Sequence, residues 1–284
     1  RDLRMSRGLG DVYKRQPLAR KDHPLMSNAD YVDGGFSTPN SEWIWSSYSA
    51  PDQTLYYFSF FAQQGSNSSA NICRTYPCAI SKELYDRIPA TDVRRRMFLG
   101  PQEGDTYNTA NGRVTSGPML ERARRDYADK IYATSLVYAY MQFKFLCTGQ
   151  PGIGQLNHFR AAEMYLIEAE ANCHLGGKDT ETQALMQALV KDSGRDPQYT
   201  CTRTGADLLE EVKLYRRIEL WGEGFDWFDL KRWRPPTPRA VSMPSLPSAS
   251  SPKKATSGRG SIPPRKWTTT AHWTVTSSER FSLP

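Results

Sequence analysis

Two stretches decide the fold: FRAAEMYLIEAEANCHLGG at residues 159–177 and LLEEVKLYRRIELWGEGFDWFDLKRW at residues 208–233. In the first, Ala161, Ala162, Tyr165, Leu166, Ala169 and Cys173 recur every three or four residues, the period of one helix face. The spacing predicts a helix from about His158 to Leu175, capped by Asn157, allowed close contacts by its alanines, and stopped by Gly176-Gly177. Thr180 and Gln183 have capping-box spacing for a second helix to about Val190. Together they predict a helical hairpin of tetratricopeptide-like length. In the second stretch Thr204 and Asp207 mark a start, and Leu208, Val212, Tyr215 and Ile218 or Glu219 trace one face up to Gly222 and Gly224. Asp226 opens a short helix through Trp233, which Pro235-Pro236 forbids from continuing.

The charges of the second stretch alternate in sign: Arg216, Arg217, Glu219, Glu223, Asp229, Lys231 and Arg232. That pattern suits Arg–carboxylate pairs holding the short helix to its neighbour. It does not suit a catalytic acid, which needs a raised pKa rather than a cation at ion-pair spacing. Trp227, Phe228, Leu230 and Trp233 read as core side chains, three of them on the buried side of that helix.

Outward from these helices the composition changes. Residues 40–62 are rich in Trp, Tyr and Phe around a Pro51-Asp52 turn, as strands or irregular loops packed on a helical body. Residues 62–79 and 100–118 are rich in Gly, Asn, Ser and Thr and read as surface loops. Residues 1–16 have no apolar period and resemble a translated sequencing adapter; they are excluded as a foreign leader. From Pro235 onward a Pro/Ser/Arg-rich run reads as a disordered tail following a frame change after Trp233. The domain is therefore expected within residues 17–234.

The net charge of +7 sits in those ends, +3 in residues 1–16 and +6 in residues 235–284, which leaves −2 for the body. A slightly acidic body has no electrostatic reason to bind nucleic acid, and Arg94-Arg95-Arg96 reads as a salt-bridged run. The five cysteines form no CxxC pair, so neither a zinc ribbon nor a thioredoxin-like site is expected. Cys73 and Cys78 read as free thiols, with a local disulfide as the alternative. His23, His158, His174 and His272 are far apart, His158 and His174 at opposite ends of the first helix, so no metal site is expected. Gly152-Ile153-Gly154 lacks the rest of a dinucleotide fingerprint, no GxSxG is present, and no cofactor is expected. No apolar run reaches the length of a membrane-spanning helix.

The two opening stretches resemble the paired signatures of the SusD/RagB family of outer-membrane nutrient-binding lipoproteins, RxAExYLIxAEA followed by RRxELxxEGxRWFDLKRW. Asp226 stands where the family usually has Arg or His, and Trp221 where it usually has Phe. Weaker similarity runs through NSEWIWSSYS at 40–49, ELYDRIPATDVRRRMF at 83–98 and Lys144-Phe145, so the resemblance covers roughly residues 25–234. It implies a mainly α fold of tetratricopeptide-like hairpins with a loop-rich ligand-binding face. It also implies a surface-exposed protein, lipid-anchored through an amino-terminal cysteine that lies outside this chain. Such a protein captures oligosaccharides for a TonB-dependent, SusC-like barrel and performs no catalysis.

Glycan capture needs flat apolar faces for sugar C–H stacking beside amides and hydroxyls. Trp43, Trp45, Tyr48 and Tyr57, with Asn67 and Tyr76 in the adjoining loop, are the expected ligand-binding residues. Period-2 spacing would put Trp43 and Trp45 on one face of an extended segment. Two other classes remain open: a helical-repeat scaffold for a protein partner and a glycoside hydrolase with two acids flanking a cleft.

Overall fold

The computed structural model describes residues 17–49, 52 and 56–233. The leader and tail expectations for residues 1–16 and 235–284 lie outside the described residues. Three long helices organise the rest: α7 (Ala161–Leu175), α8 (Asp179–Gln187, continued by a π-helical turn Ala188–Asp192) and α9 (Gly205–Glu219). They pack through Ala162, Leu166, Ala169, Met186, Leu189, Val212 and Tyr215, all buried. α7 and α8 form the expected hairpin, and Gly176 ends α7 with a φ of 73° that an L side chain rarely adopts.

The remaining elements are shorter. α1 (17–22) and α2 (Asn28–Val32) lead to β1 (Trp43–Ser49); a 3₁₀ turn (Tyr56–Phe58), α3 (Phe60–Gln64), α4 (Asn71–Thr75) and α5 (Lys82–Asp86) follow. Then come a 3₁₀ turn (Val93–Met97), β2 (Arg113–Val114), α6 (Pro118–Asp126), β3 (Val137–Tyr138) and β4 (Gly154–Arg160), and α10 (Asp226–Trp233) closes the described chain. Among the described residues the strands form two ribbons, β1 with β4 and β2 with β3, both antiparallel. The described residues are helix-rich with no closed sheet.

The first helix starts three residues later than its period predicts. His158, Phe159 and Arg160 belong to β4, paired with β1 in a register that sets Trp43 opposite Arg160 and Ser49 opposite Gly154. Asn157 therefore caps nothing. A distant residue replaces it: the Glu42 backbone carbonyl accepts from Ala161 N at 3.0 Å and its carboxylate from Ala162 N at 3.2 Å. The predicted capping box at Thr180 is also unused, because Gln183 donates its amide to the Arg203 carbonyl instead. Thr204 makes no side-chain cap; Asp179 accepts from Gly205 N at 3.0 Å.

α10 forms over its predicted residues but with the opposite face inward. Trp227 is 53% and Phe228 67% exposed, whereas Asp229 is buried. The helix docks through charge: Arg216 Nε donates to Asp229 at 2.7 Å, and Arg232 bridges Asp229 and Glu170. Trp233 adds an indole hydrogen bond to Glu170 at 2.7 Å. With both helix-facing positions taken by ion pairs, the rings point outward.

Candidate functional site

The family-like charges Glu219, at the end of α9, and Glu223, just beyond it, converge with partners from five other segments in a buried cluster. Glu219 pairs with Arg94, Arg160 and Arg195 at 2.9, 2.7 and 3.2 Å. Glu42 receives Arg160 and Arg195, and Asp92 receives Arg94. Glu223 receives Lys144 and Arg160, at 2.6 and 2.7 Å. Four carboxylates thus meet four cations. Burial pushes the Glu219 carboxyl up, but the surrounding guanidiniums outweigh it and hold the group well below the usual range. Glu223 follows the same balance against Arg160 and Lys144. Burial lowers the Lys144 ammonium to about 8 against the pull of Glu223.

Beside this cluster lies a cavity of about 430 Å³. Phe36, Phe60, Phe145 and Leu156 form its apolar wall; Gln64, Asn157, His158 and Glu223 supply polar groups. Gly222 is required at its edge, since a Cβ there would lie 2.5 Å from the Phe145 ring. A Cβ on Gly154 would likewise lie 2.7 Å from Phe61, so glycine lets β4 lie close to α3. Asn157 Oδ1 is buried with no hydrogen-bond partner. Glu223, the acid lining the cavity, is ionised and doubly paired, the reverse of a general acid's requirement.

His158 joins the cavity to an exposed aromatic surface. Its ring lies 4.6 Å from that of Trp45, its Nε2 is 2.8 Å from Ser47 Oγ, and Phe159 stacks on Trp45 at 5.8 Å with 26° between planes. Trp45 is 58% exposed. Trp43 is not its companion, which corrects the period-2 expectation. The β1–β4 register shifts between Trp43 and Trp45 and again between Trp45 and Ser46, and such bulges redirect side chains. Trp43 is consequently only 7% exposed, with its indole donating to the Gly35 carbonyl at 3.1 Å.

The other expected residues divide. Tyr57 is exposed in the turn before α3, the helix that supplies Phe60 and Gln64 to the cavity. Tyr76 is exposed at the end of α4, and nothing groups it with the cavity lining. The Tyr48 side chain lies outside the described residues, though its backbone pairs with Gln155. Asn67 is committed to the fold: its amide donates to the Cys147 carbonyl at 3.0 Å and accepts from Cys147 N at 2.6 Å. Sequence reasoning missed Phe159, His158, Asn157 and Gln64. For the β4 residues the available signal was the Gly152/Gly154 pair, which marks a turn before an extended run.

Other expectations find a definite place. All five cysteines are free thiols, and burial pushes Cys73 up to about 12. Arg94 of the basic run is buried on Asp92 and Glu219. His158 lies on a strand, not on the helix that carries His174. Among the described residues no three metal-ligating side chains converge, and no helix is long and apolar enough to cross a membrane.

A sequence model of the SusD family matches residues 23–280. A SusD-like carbohydrate binding protein from Bacteroides vulgatus ATCC 8482 superposes with a TM-score of 0.54 at 25% identity, covering 78% of this chain and 42% of that one. A SusD superfamily protein from Bacteroides thetaiotaomicron VPI-5482 superposes at 0.53 and 18% identity, over 80% and 47% of the two chains. Surface glycan-binding protein A from Bacteroides thetaiotaomicron superposes at 0.51 and 17% identity, over 80% and 51%. The chain therefore spans about half of these structures or less. No curated protein matches it.

Proposed function

Since the chain belongs to the SusD family, we propose that it is the glycan-contacting portion of a surface oligosaccharide-binding protein, and that it binds sugar without transforming it. The observation that carries this reading is Trp45, exposed and stacked on Phe159, next to a cavity lined by the amides of Gln64 and Asn157. A sugar ring presents an apolar C–H face to such an indole and hydroxyls to such amides. The likeness to a SusD-like carbohydrate binding protein supports the same ligand class. By the same family logic the full protein is lipid-anchored at the outer-membrane surface and hands its ligand to a TonB-dependent, SusC-like barrel.

Calorimetric titration with a panel of neutral oligosaccharides tests the reading. Binding that is weakened by Trp45→Ala and by Asn157→Ala, with no product in the recovered sugar, supports it. Binding indifferent to both substitutions would remove this site. A second reading, a helical scaffold for a protein partner, draws on the outward Trp227 and Phe228 of α10. It predicts that Phe228→Ser abolishes partner capture and leaves sugar binding intact.

A further inference from the structure

A second concavity, of about 420 Å³, lies in the loop leading into α6 and belongs to neither the cavity nor the aromatic surface. Its lining is polar: Thr106, Asn108, Asn111, Arg113, Thr115 and Ser116, with Tyr107 at one side. The loop that carries it is internally braced. Asn108 N donates to the Arg113 carbonyl at 2.9 Å, Gly112 N to the Asn108 carbonyl at 2.6 Å, and Ala139 N to the Gly112 carbonyl at 2.8 Å. The β2–β3 ribbon holds its far end. The dish is thus formed before any ligand arrives, which lowers the ordering cost of binding.

Its hydrogen-bonding capacity is lopsided. Asn108 Oδ1 accepts from Ala110 N at 2.9 Å and Asn111 Oδ1 from Arg113 N at 3.0 Å. Both amide oxygens being engaged, the two side-chain NH₂ groups remain to donate. Arg113 has no carboxylate within ion-pair distance among the described residues, whereas nearby Arg122 is paired with Asp105 and Lys82 with Asp86. The one uncompensated charge at the dish is therefore positive, and a guanidinium with two amides beside it matches a planar or tetrahedral oxyanion.

The geometry points to this dish as a subsite for the anionic group, carboxylate or sulfate ester, of an acidic saccharide. The inference rests on the glycan-binding reading and extends it to a charged ligand class. Three hydroxyls, from Thr106, Thr115 and Ser116, then meet the neutral hydroxyls of the same sugar ring.

The test uses the full chain and five hexasaccharides: a neutral glucan, an oligogalacturonate with its methyl ester as control, and a sulfated chondroitin fragment with its unsulfated counterpart as control. In the wild type the acidic ligand binds at least about tenfold tighter than its uncharged counterpart, the size of one charge-assisted contact. That advantage shrinks with added salt. Arg113→Gln abolishes it, Arg113→Lys keeps part of it, and neutral-glucan affinity is the same in all three proteins. Loss in the oligogalacturonate arm alone identifies a carboxylate, and loss in the chondroitin arm alone a sulfate. Equal binding of acidic and uncharged ligands, or an advantage that survives Arg113→Gln, overturns the subsite while Trp45-dependent neutral binding stands. Absence of all saccharide binding overturns both readings.

Discussion

The ion cluster around Glu219 and the aromatic ribbon around Trp45 both border one cavity, through Glu223 and His158, yet they are built differently. In the cluster every carboxylate is buried and matched to a cation of the polypeptide itself. On the ribbon a large ring is left in solvent. The charges of the second signature stretch therefore hold the framework.

The comparison can be broken most severely at Glu219. Replacing it by Gln leaves Arg94, Arg160 and Arg195 with a neutral partner. Breaking a buried charge pair costs about 3–5 kcal/mol, so chemical denaturation of Glu219→Gln is expected to show a loss of that size or no folded protein. Acid should act on the same cluster. The folded-state pKa values of Glu219 and Glu223 are depressed, so their stabilisation is complete above the ordinary carboxylate pKa and is lost as pH falls through the lowered folded values. Unfolding followed from neutral pH downward should show stability declining only below that ordinary range, and a flat acid limb would contradict the ionised cluster.

Two tryptophans two residues apart sharpen the contrast. Trp43→Ala empties a core position and should cost about 3–5 kcal/mol of stability. Trp45→Ala should cost within about 0.5 kcal/mol, as an exposed substitution does, and weaken oligosaccharide binding about tenfold, the loss of a central aromatic contact. Equal thermal shifts in the two variants would mean that the bulge does not separate them. The smallest effect is expected at the rim of the cluster, where Arg217 and Asp226 pair at 2.6 Å with Asp226 partly in solvent. Asp226→Asn should change stability by under about 1 kcal/mol, measurable as a small shift of the denaturation midpoint.

Much of the helical framework was legible. The α7 and α9 faces follow the 3.6-residue period, and the sign alternation of Arg216, Asp229 and Arg232 correctly announced ion pairs docking α10. The orientation of α10 was not legible. Local periodicity ranks which residues are apolar, but the inward face was chosen by Glu170 on α7 and Arg216 on α9. Asn67 has the composition of a ligand-binding amide, and only the position of Cys147 shows that both of its polar atoms are occupied. Trp45 was named a candidate from its type, while its stacking partner Phe159 was hidden inside a stretch assigned to a helix.

By itself the sequence determined the family, the helix-rich class, the hairpin of α7 and α8 and the charge complement of α9 and α10, because these depend on residues within a few turns of one another. Tertiary structure decided the site. β1 and β4 are separated by more than a hundred residues, and only their pairing converts the expected first turn of α7 into a strand. The same pairing introduces the bulge that sends Trp43 inward and Trp45 outward and lets Glu42 cap α7. A non-local pairing with shifted register leaves no period in the chain, so its consequences become visible only when both strands are in place.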